Sequence, residues 1–493
     1  MASFYVENFG CRATQADGAA IERQFQERGF KRASAPAQAE IVVLNTCTVT
    51  AAADQDARAA IRRVHRQNPE CKIVVTGCYA QRAPEEIAVL PGVTQVIGNS
   101  HKYQLAEIAV SATRVSTDGR SREESPVFAG PVSRFVPLTT LTSQDRSSIF
   151  VSDIFAHTEL LAAPVFDAPN ERTRPNLKVQ DGCDNRCSFC VIPYVRGHSR
   201  SLPLSQILQE VNSLVSGGYR EVVISGINLG RWGRDLIPEM WGVRSRSRRF
   251  EDLIRAILEQ TKLEKLRISS VEPMDWSDEL IRLQAESPRI AKHAHVPMQS
   301  GSDAVLRRMR RKYRPWHYRE KIEKIHAAMP TAAIGADVMV GFPGETESEF
   351  DETVRMIESL PFTYLHVFTY SPRPATPAVA MCDQVPVYVA RERSRILRDI
   401  ATEKKLAFMN SFIRKKVEAI TLASSSVFSN ELDGACGSPY TEALTDNYLK
   451  LHLKGRHDAN QWVSAQVESV ENGMLLGNMG NSSFCFSAAS GNF

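Results

Sequence analysis

The stretch LKVQDGCDNRCSFCVIPYVRGHSRS, residues 177–201, decides the fold. Leu177–Gln180 reads as a short buried strand running straight into a loop that carries Cys183, Cys187 and Cys190. Three thiolates spaced C-x3-C-x2-C can converge on one metal centre from a single loop. Three ligands also leave one iron of a four-iron cluster open, which a reactive centre needs. The competing structural zinc site would combine Cys187-x2-Cys190 with two other ligands. Zinc ribbons carry a second CxxC, however, and this sequence has none.

Downstream, strands at Glu221–Ser225, Lys265–Ser269, Ala294–Pro297, Ile334–Val340 and Tyr364–Thr369 alternate with helical segments. Six strands in this order predict an open or partial (β/α) barrel with its chemistry on the loops after the strands, where the cysteine loop falls. Upstream, Phe4–Asn8, Ile41–Asn45 and Ile73–Thr76 read as strands interleaved with helices at Asp17–Gly29 and Asp54–Asn68. That order predicts a small α/β domain with a mostly parallel sheet. Short strands with turns after about Lys415 predict a small β-barrel, with TDNYLKLHL at 445–453 as its clearest strand.

The α/β chain therefore divides into an N-terminal domain (1–112), a Ser/Thr/Pro/Arg-rich linker or insertion, partly disordered (113–172), a barrel (173–412) and a β-barrel (413–485). Apolar spacing at Ile149–Leu161 suggests one short helix within the insertion.

With 43% hydrophobic and 24% charged residues, the composition is that of a folded soluble protein. No apolar run reaches the ~20 residues a membrane span needs, and the N-terminus lacks a secretory pattern. A cytoplasmic location follows, where ten cysteines point to metal or redox chemistry rather than to disulfides. A net charge of +4 permits nucleic-acid binding without arguing for it. The basic runs RSRSRR (244–249) and RRKYR (310–314) read as solvated faces.

CxxxCxxC on the first loop of a (β/α) barrel resembles the radical S-adenosylmethionine superfamily. The resemblance implies a 4Fe-4S cluster whose open iron chelates S-adenosylmethionine, which an electron then cleaves to a 5′-deoxyadenosyl radical. It also places Phe189 near the adenine.

Cys11, Cys47 and Cys78 share a setting, each following a strand in NFGC, LNTC and VTGC. In a parallel sheet such strand ends are neighbours; spacing alone leaves a shared metal site and three buried structural thiols equally open. An N-terminal GC…NTCTVT…TGCYAQ followed by CxxxCxxC is similar to the methylthiotransferases. That similarity implies that these three cysteines hold a second 4Fe-4S cluster, also with an open iron. The family pattern GC-x-x-N is broken here by Thr14. Cys71, Cys382, Cys436 and Cys485 read as structural or isolated thiols.

Further loops carry cofactor and substrate candidates. Gly226 and Asn228 in SGINLG, and Ser270 and Glu272 in SSVEP, suit the cofactor, Glu272 as an acceptor for ribose hydroxyls. The helix start in GFPGET could receive an anion. Arg196, Arg200, His295, Gln299 and Arg373 are the substrate candidates, the arginines for phosphate or carboxylate.

IPYVRGHSRS, HVFTYSPRPATPA (366–378) and NTCTVT with TGCYAQ resemble the branch acting on threonylcarbamoyladenosine in tRNA. The resemblance implies conversion of N6-threonylcarbamoyladenosine at position 37 to its 2-methylthio derivative, and a TRAM-like C-terminal barrel for RNA. Lys450, Lys454, Arg456 and an exposed Tyr448 would contact it. It implies as partners tRNA, an electron donor such as flavodoxin or ferredoxin, and a sulfur source, with a monomeric enzyme and no membrane. The alternatives are methylthiolation of isopentenyladenosine or of a ribosomal-protein aspartate, and a non-catalytic RNA-binding iron–sulfur protein.

Overall fold

The computed structural model describes residues 2–111, 147–157, 160, 173–236, 248–427 and 439–479. They fall into two compact units. The first comprises Met1–Val165, Gln180–Ser201 and Ser371–Val379; the second comprises Phe166–Val179, Leu202–Tyr370 and Ala380–Phe493.

In the first unit, strands β1 (Ser3–Asn8), β2 (Lys31–Arg32), β3 (Ile41–Thr46), β4 (Lys72–Gly77), β5 (Val93–Ile97) and β6 (Ser148–Phe150) form a sheet ordered β2-β1-β3-β4-β5-β6. Every neighbouring pair is parallel. The sequence of β3, IVVLNT, explains its central place, because an apolar run without alternation suits a strand covered on both faces. Val42 and Leu44 join one core with Ala57, Ile61 and Val64 of helix Ala51–Gln67. Ile41 and Val43 join the other, with Ile21 and Phe25 of helix Arg12–Glu27. Each such fully buried aliphatic contributes roughly 1.5–3 kcal/mol, and Ile61→Ala would forfeit about 2–5 kcal/mol. Thr50 starts the helix by accepting a hydrogen bond from the Ala53 N–H at 3.2 Å.

The exit from β4 depends on glycine. Gly77 has φ +98°, and a Cβ there would lie 2.3 Å from the Thr46 carbonyl oxygen. The chain can therefore turn sharply from the strand into helix Cys78–Arg82 only at a residue without a side chain.

The second unit holds most of the barrel strands: β9 (Glu221–Gly226), β10 (Lys265–Ile268), β11 (His293–His295), β12 (Ala333–Val340) and β13 (Tyr364–Thr369). Strand β7 (Asn176–Asp181) begins there, and its last two residues, which pair with β8 (Arg200–Ser201), belong to the first unit. The order is β10-β9-β7-β8 in one sheet and β11-β12-β13 in the next. Parallel bridges Leu266↔Ile290 and Ser270↔His295 join the two sheets. This is the open barrel expected from the alternation. The C-terminal strands β14 (Lys416–Val427), β15 (Pro439–Thr445), β16 (Lys450–Lys454), β17 (Trp462–Glu471) and β18 (Met474–Met479) close a barrel ordered β14-β15-β16-β18-β17.

Several local expectations differ. The first helix starts directly after Cys11 rather than at Asp17. Within Ile149–Leu161, the start belongs to strand Ser148–Phe150, whose backbone completes the edge of the N-terminal sheet beside β5, and a single-turn 3-10 helix follows at Ile154–Ala156. TDNYLKLHL is a strand end, a turn and a second strand, with Tyr448 in the turn at φ +68°. The RRKYR run is a solvated face only in part, at Arg310 and Lys312. Arg311 is buried against Glu272, and the buried Tyr313 donates its hydroxyl to the Met298 carbonyl at 2.6 Å. Apart from 147–157 and 160, the 113–172 segment lies outside the described residues up to position 172, as do 244–247, Cys436 and Cys485.

Candidate functional site

All six cysteines of the two triplets belong to the first unit. Strands β1, β3 and β4 are adjacent in the sheet and deliver Cys11, Cys47 and Cys78 from their carboxyl ends. Gly10 lies so close to Cys47 that a Cβ on it would sit 2.9 Å from the Cys47 sulfur. Burial first, then the neighbouring Cys78 and, more weakly, Cys11, push the Cys47 thiol up to about 12. A thiol held up by burial ionises readily only where a cation takes its charge, and three thiols at neighbouring strand ends suit a metal cluster. The Asn99 side-chain N–H points at the Cys78 sulfur at 3.7 Å, a weak donor of the kind that tunes thiolate ligands.

Cys183, Cys187 and Cys190 are half-buried on the loop leaving β7. The Asn185 backbone N–H donates to the Cys183 sulfur at 3.4 Å. Val191 and Val195, just beyond Cys190, pack on Cys78 in one apolar cluster, so the two cysteine loops share a wall.

A buried charge network also joins them. Arg196, 2% exposed, donates through Nη1 to both carboxylate oxygens of Asp181 at 2.9 and 3.0 Å, and through Nη2 to Asp17 at 3.0 Å. Lys102 donates to the same Asp17 oxygen at 3.0 Å. Thr14, at the position where the family pattern has Asn, sets its hydroxyl 3.5 Å from both the Cys11 sulfur and Arg196.

Arg196 was expected at the substrate, but its guanidinium is committed to these two carboxylates. Arg373 is corrected in the same way. It donates to Asp54 at 2.8 Å and to the Thr48 carbonyl at 3.1 Å, directly after Cys47. Its segment, Ser371–Val379, also reaches the other loop, where the Ala378 N–H donates to the Ser188 carbonyl at 2.9 Å. Arg200 turns to the carbonyls of His157 and His198. Asp17, Lys102 and Asp54 were missed in the sequence. Their one signal is a charged residue on the inward face of a helix or turn.

In the second unit, Ser225, Gly226 and Asn228 stand at the carboxyl end of β9. The buried Ser225 hydroxyl has no hydrogen-bond partner among the described residues, a polar atom that a bound cofactor would satisfy. Ser270 bridges to His295. Glu272 already carries an ion pair with Arg311, so a ribose would have to share its carboxylate. Gln299 sits at φ +63° with its side-chain oxygen buried and without a partner among the described residues. Two amides of the GFPGET turn are already taken within the turn and the helix it opens. The Gly341 N–H donates to Glu345 at 2.7 Å and the Thr346 N–H to Glu349 at 2.9 Å. Phe189 is half-buried beside the cluster cysteines. Tyr448, expected exposed, packs on the His293 ring at 4.7 Å and under the Arg267 guanidinium at 5.4 Å.

Residues 3–98 match the model of the uncharacterized protein family UPF0004, and residues 177–357 that of the radical SAM superfamily. The threonylcarbamoyladenosine tRNA methylthiotransferase MtaB of Bacillus subtilis is 35% identical, across 93% of this chain and 92% of its own. That of Aquifex aeolicus is 32% identical, across 94% and 99%. A tRNA-2-methylthio-N(6)-dimethylallyladenosine synthase of a Wolbachia from Brugia malayi is 30% identical, across 90% and 92%. The radical S-adenosylmethionine methyltransferase TsrM of Kitasatospora setae shares the fold, with a TM-score of 0.52 at 16% identity over 77% of each chain. The chain belongs to the radical-SAM tRNA methylthiotransferases, in the threonylcarbamoyladenosine branch.

Proposed function

We propose that this chain converts N6-threonylcarbamoyladenosine at position 37 of tRNA, next to the anticodon, to its 2-methylthio derivative. The observation that carries the reading is the gathering of two three-cysteine sets in one compact unit, each one ligand short of closing a four-iron cluster. A structural cluster is better served by four ligands. Two open triplets suit a reaction needing one centre for radical generation and another for sulfur.

Cys183, Cys187 and Cys190 would hold one 4Fe-4S cluster and Cys11, Cys47 and Cys78 the other. When bound, the clusters with S-adenosylmethionine supply one-electron radical chemistry and the sulfur and methyl groups. The protein's own residues hold that chemistry in place. Arg196 fixes helix Ile192–Arg196 against helix Arg12–Glu27, keeping both loops in register. Arg373 anchors the turn after Cys47. Phe189, Gly226, Asn228, Ser270 and Glu272 are the cofactor contacts of this reading, and Gln299 that for the base. The tRNA is the substrate; an electron donor and a sulfur source complete the set.

The test is mass spectrometry of tRNA nucleosides from cells lacking this chain, before and after it is restored. Loss and return of 2-methylthio-N6-threonylcarbamoyladenosine is the expected result. Loss of the isopentenyl analogue instead would move the enzyme to the other tRNA branch. No change in any tRNA thioether would refute a tRNA substrate.

A further inference from the structure

We propose that His295, Asp337 and His366 form a third metal site, a two-imidazole, one-carboxylate centre for a borderline divalent ion such as zinc. All three residues lie in the second unit, which contains none of the six cluster cysteines. Parallel register pairs Asp337 of β12 with His366 of β13, and Gly335 of β12 with both His295 of β11 and Tyr364 of β13. Alternation along β12 puts Gly335 and Asp337 on one face, so His295, Asp337, Tyr364 and His366 project together.

The geometry fits a cation. One ligand atom from each of the three residues lies within 4.8 Å of the others. His295 Nε2 and His366 Nδ1 both approach the same Asp337 oxygen, at 3.1 and 3.2 Å. Metal–nitrogen and metal–oxygen bonds of about 2.1 Å give ligand–ligand edges of roughly 3.0–3.4 Å. The supporting contacts are those a metal histidine needs. His295 Nδ1 meets the Tyr364 hydroxyl at 3.0 Å, and that hydroxyl meets His293 Nε2 at 2.7 Å, so the ring is held with Nε2 towards Asp337. His295 is 9% exposed and His366 61%, so the site is walled on one side and open on the other, as an ion with exchangeable positions requires.

Nitrogen and oxygen donors without sulfur select zinc, manganese or ferrous ions over a thiolate-bound cluster. Two imidazoles hydrogen-bonded to a carboxylate would place the same atoms together without an ion, and the experiment separates the two cases. The holoenzyme, with its clusters reconstituted, is equilibrated with zinc as the probe and desalted. Zinc, iron and sulfide are then counted for the wild type and for Asp337→Asn and His366→Gln. The expected result is about one zinc per chain in the wild type, with an X-ray absorption first shell of nitrogen and oxygen only. Both variants should lose it at least tenfold with iron and sulfide unchanged. Because His366 is largely exposed, His366→Gln leaves the fold intact even if Asp337→Asn does not. No bound zinc in the wild type, zinc retained by His366→Gln, or sulfur in the zinc shell would overturn the proposal.

Discussion

Replacing Arg196 with methionine tests whether the two cysteine loops are held by the charge network beneath them. The guanidinium is 2% exposed and makes two contacts to Asp181 and one to Asp17, all between 2.9 and 3.0 Å. Burial alone would lower its proton affinity, yet Asp181, Cys78, Asp17 and Cys11 together raise it, so the cation persists at any working pH. Removing one partner of a buried ion pair leaves the other charge desolvated, at a cost of about 3–5 kcal/mol. Lys102 still reaches Asp17, so the damage concentrates on Asp181. Arg196→Lys keeps the charge but cannot span both carboxylates, and should lose about half as much. The assay is urea unfolding of the reconstituted protein, with iron per chain measured in parallel. Arg196→Met paired with Asp181→Asn in a double-mutant cycle should show coupling of at least ~1 kcal/mol. A loss below ~1 kcal/mol for Arg196→Met, or independent effects of the two substitutions, would refute the network as the fastening.

Gly77→Ala should lower stability by about 1–3 kcal/mol and reduce iron loading, because φ +98° and the Thr46 carbonyl leave no room for a Cβ; normal loading would contradict this. Arg373→Met should destabilise by about 1–3 kcal/mol, less than a full unpaired charge because Asp54 keeps Arg82 at 3.1 Å; unchanged unfolding with a raised KM for tRNA would instead place Arg373 at the substrate. Cys11→Ser should lower iron towards half while sparing cleavage of S-adenosylmethionine, and should abolish the thioether product; loss of cofactor cleavage as well would show that the triplets do not hold separate clusters. Tyr448→Ala should cost about 1–2 kcal/mol by removing the ring between His293 and Arg267, with tRNA affinity unchanged in a binding titration.

Sequence reading recovered what periodicity and short-range spacing encode. IVVLN, EVVIS and the C-x3-C-x2-C loop are each legible within a few residues, and they deliver the parallel sheet, the open barrel and one cluster. That Cys11, Cys47 and Cys78 end neighbouring strands was legible from their setting, and the order of β1, β3 and β4 agrees; the choice between a shared metal site and buried structural thiols came only from the family resemblance, because spacing does not carry it. The arginines were misread for a related reason. Arg196 ends a short helix just after the cysteine loop and Arg373 stands in a Pro-rich turn, both places where an exposed cation is the ordinary expectation. Their carboxylate partners, Asp17, Asp181 and Asp54, are distributed along the chain from position 17 to 181. Tyr448 failed similarly, since the turn that aims it inward follows from φ +68° at a position where TDNYLKLHL reads as continuous strand.

The ion pairs around the cysteines carry an implication for how the clusters are held. Arg196 and Lys102 stand against Asp17 and Asp181; Arg82 and Arg373 stand against Asp54 and Glu86, the Arg82–Glu86 contact being 3.6 Å. Each set contains two cations and two anions and is neutral as a whole. Neither set therefore supplies net positive charge to offset ionised thiols in a region where Cys47 is 6% exposed. Were these arginines present to stabilise thiolates electrostatically, their own carboxylate partners would work against the purpose. Their geometry suits a mechanical role instead, each fastening one loop to a neighbouring element. The charge of the thiolates is left for bound iron to neutralise. On that reasoning the Cys47 thiol, which burial pushes up, gives up its proton as metal binds.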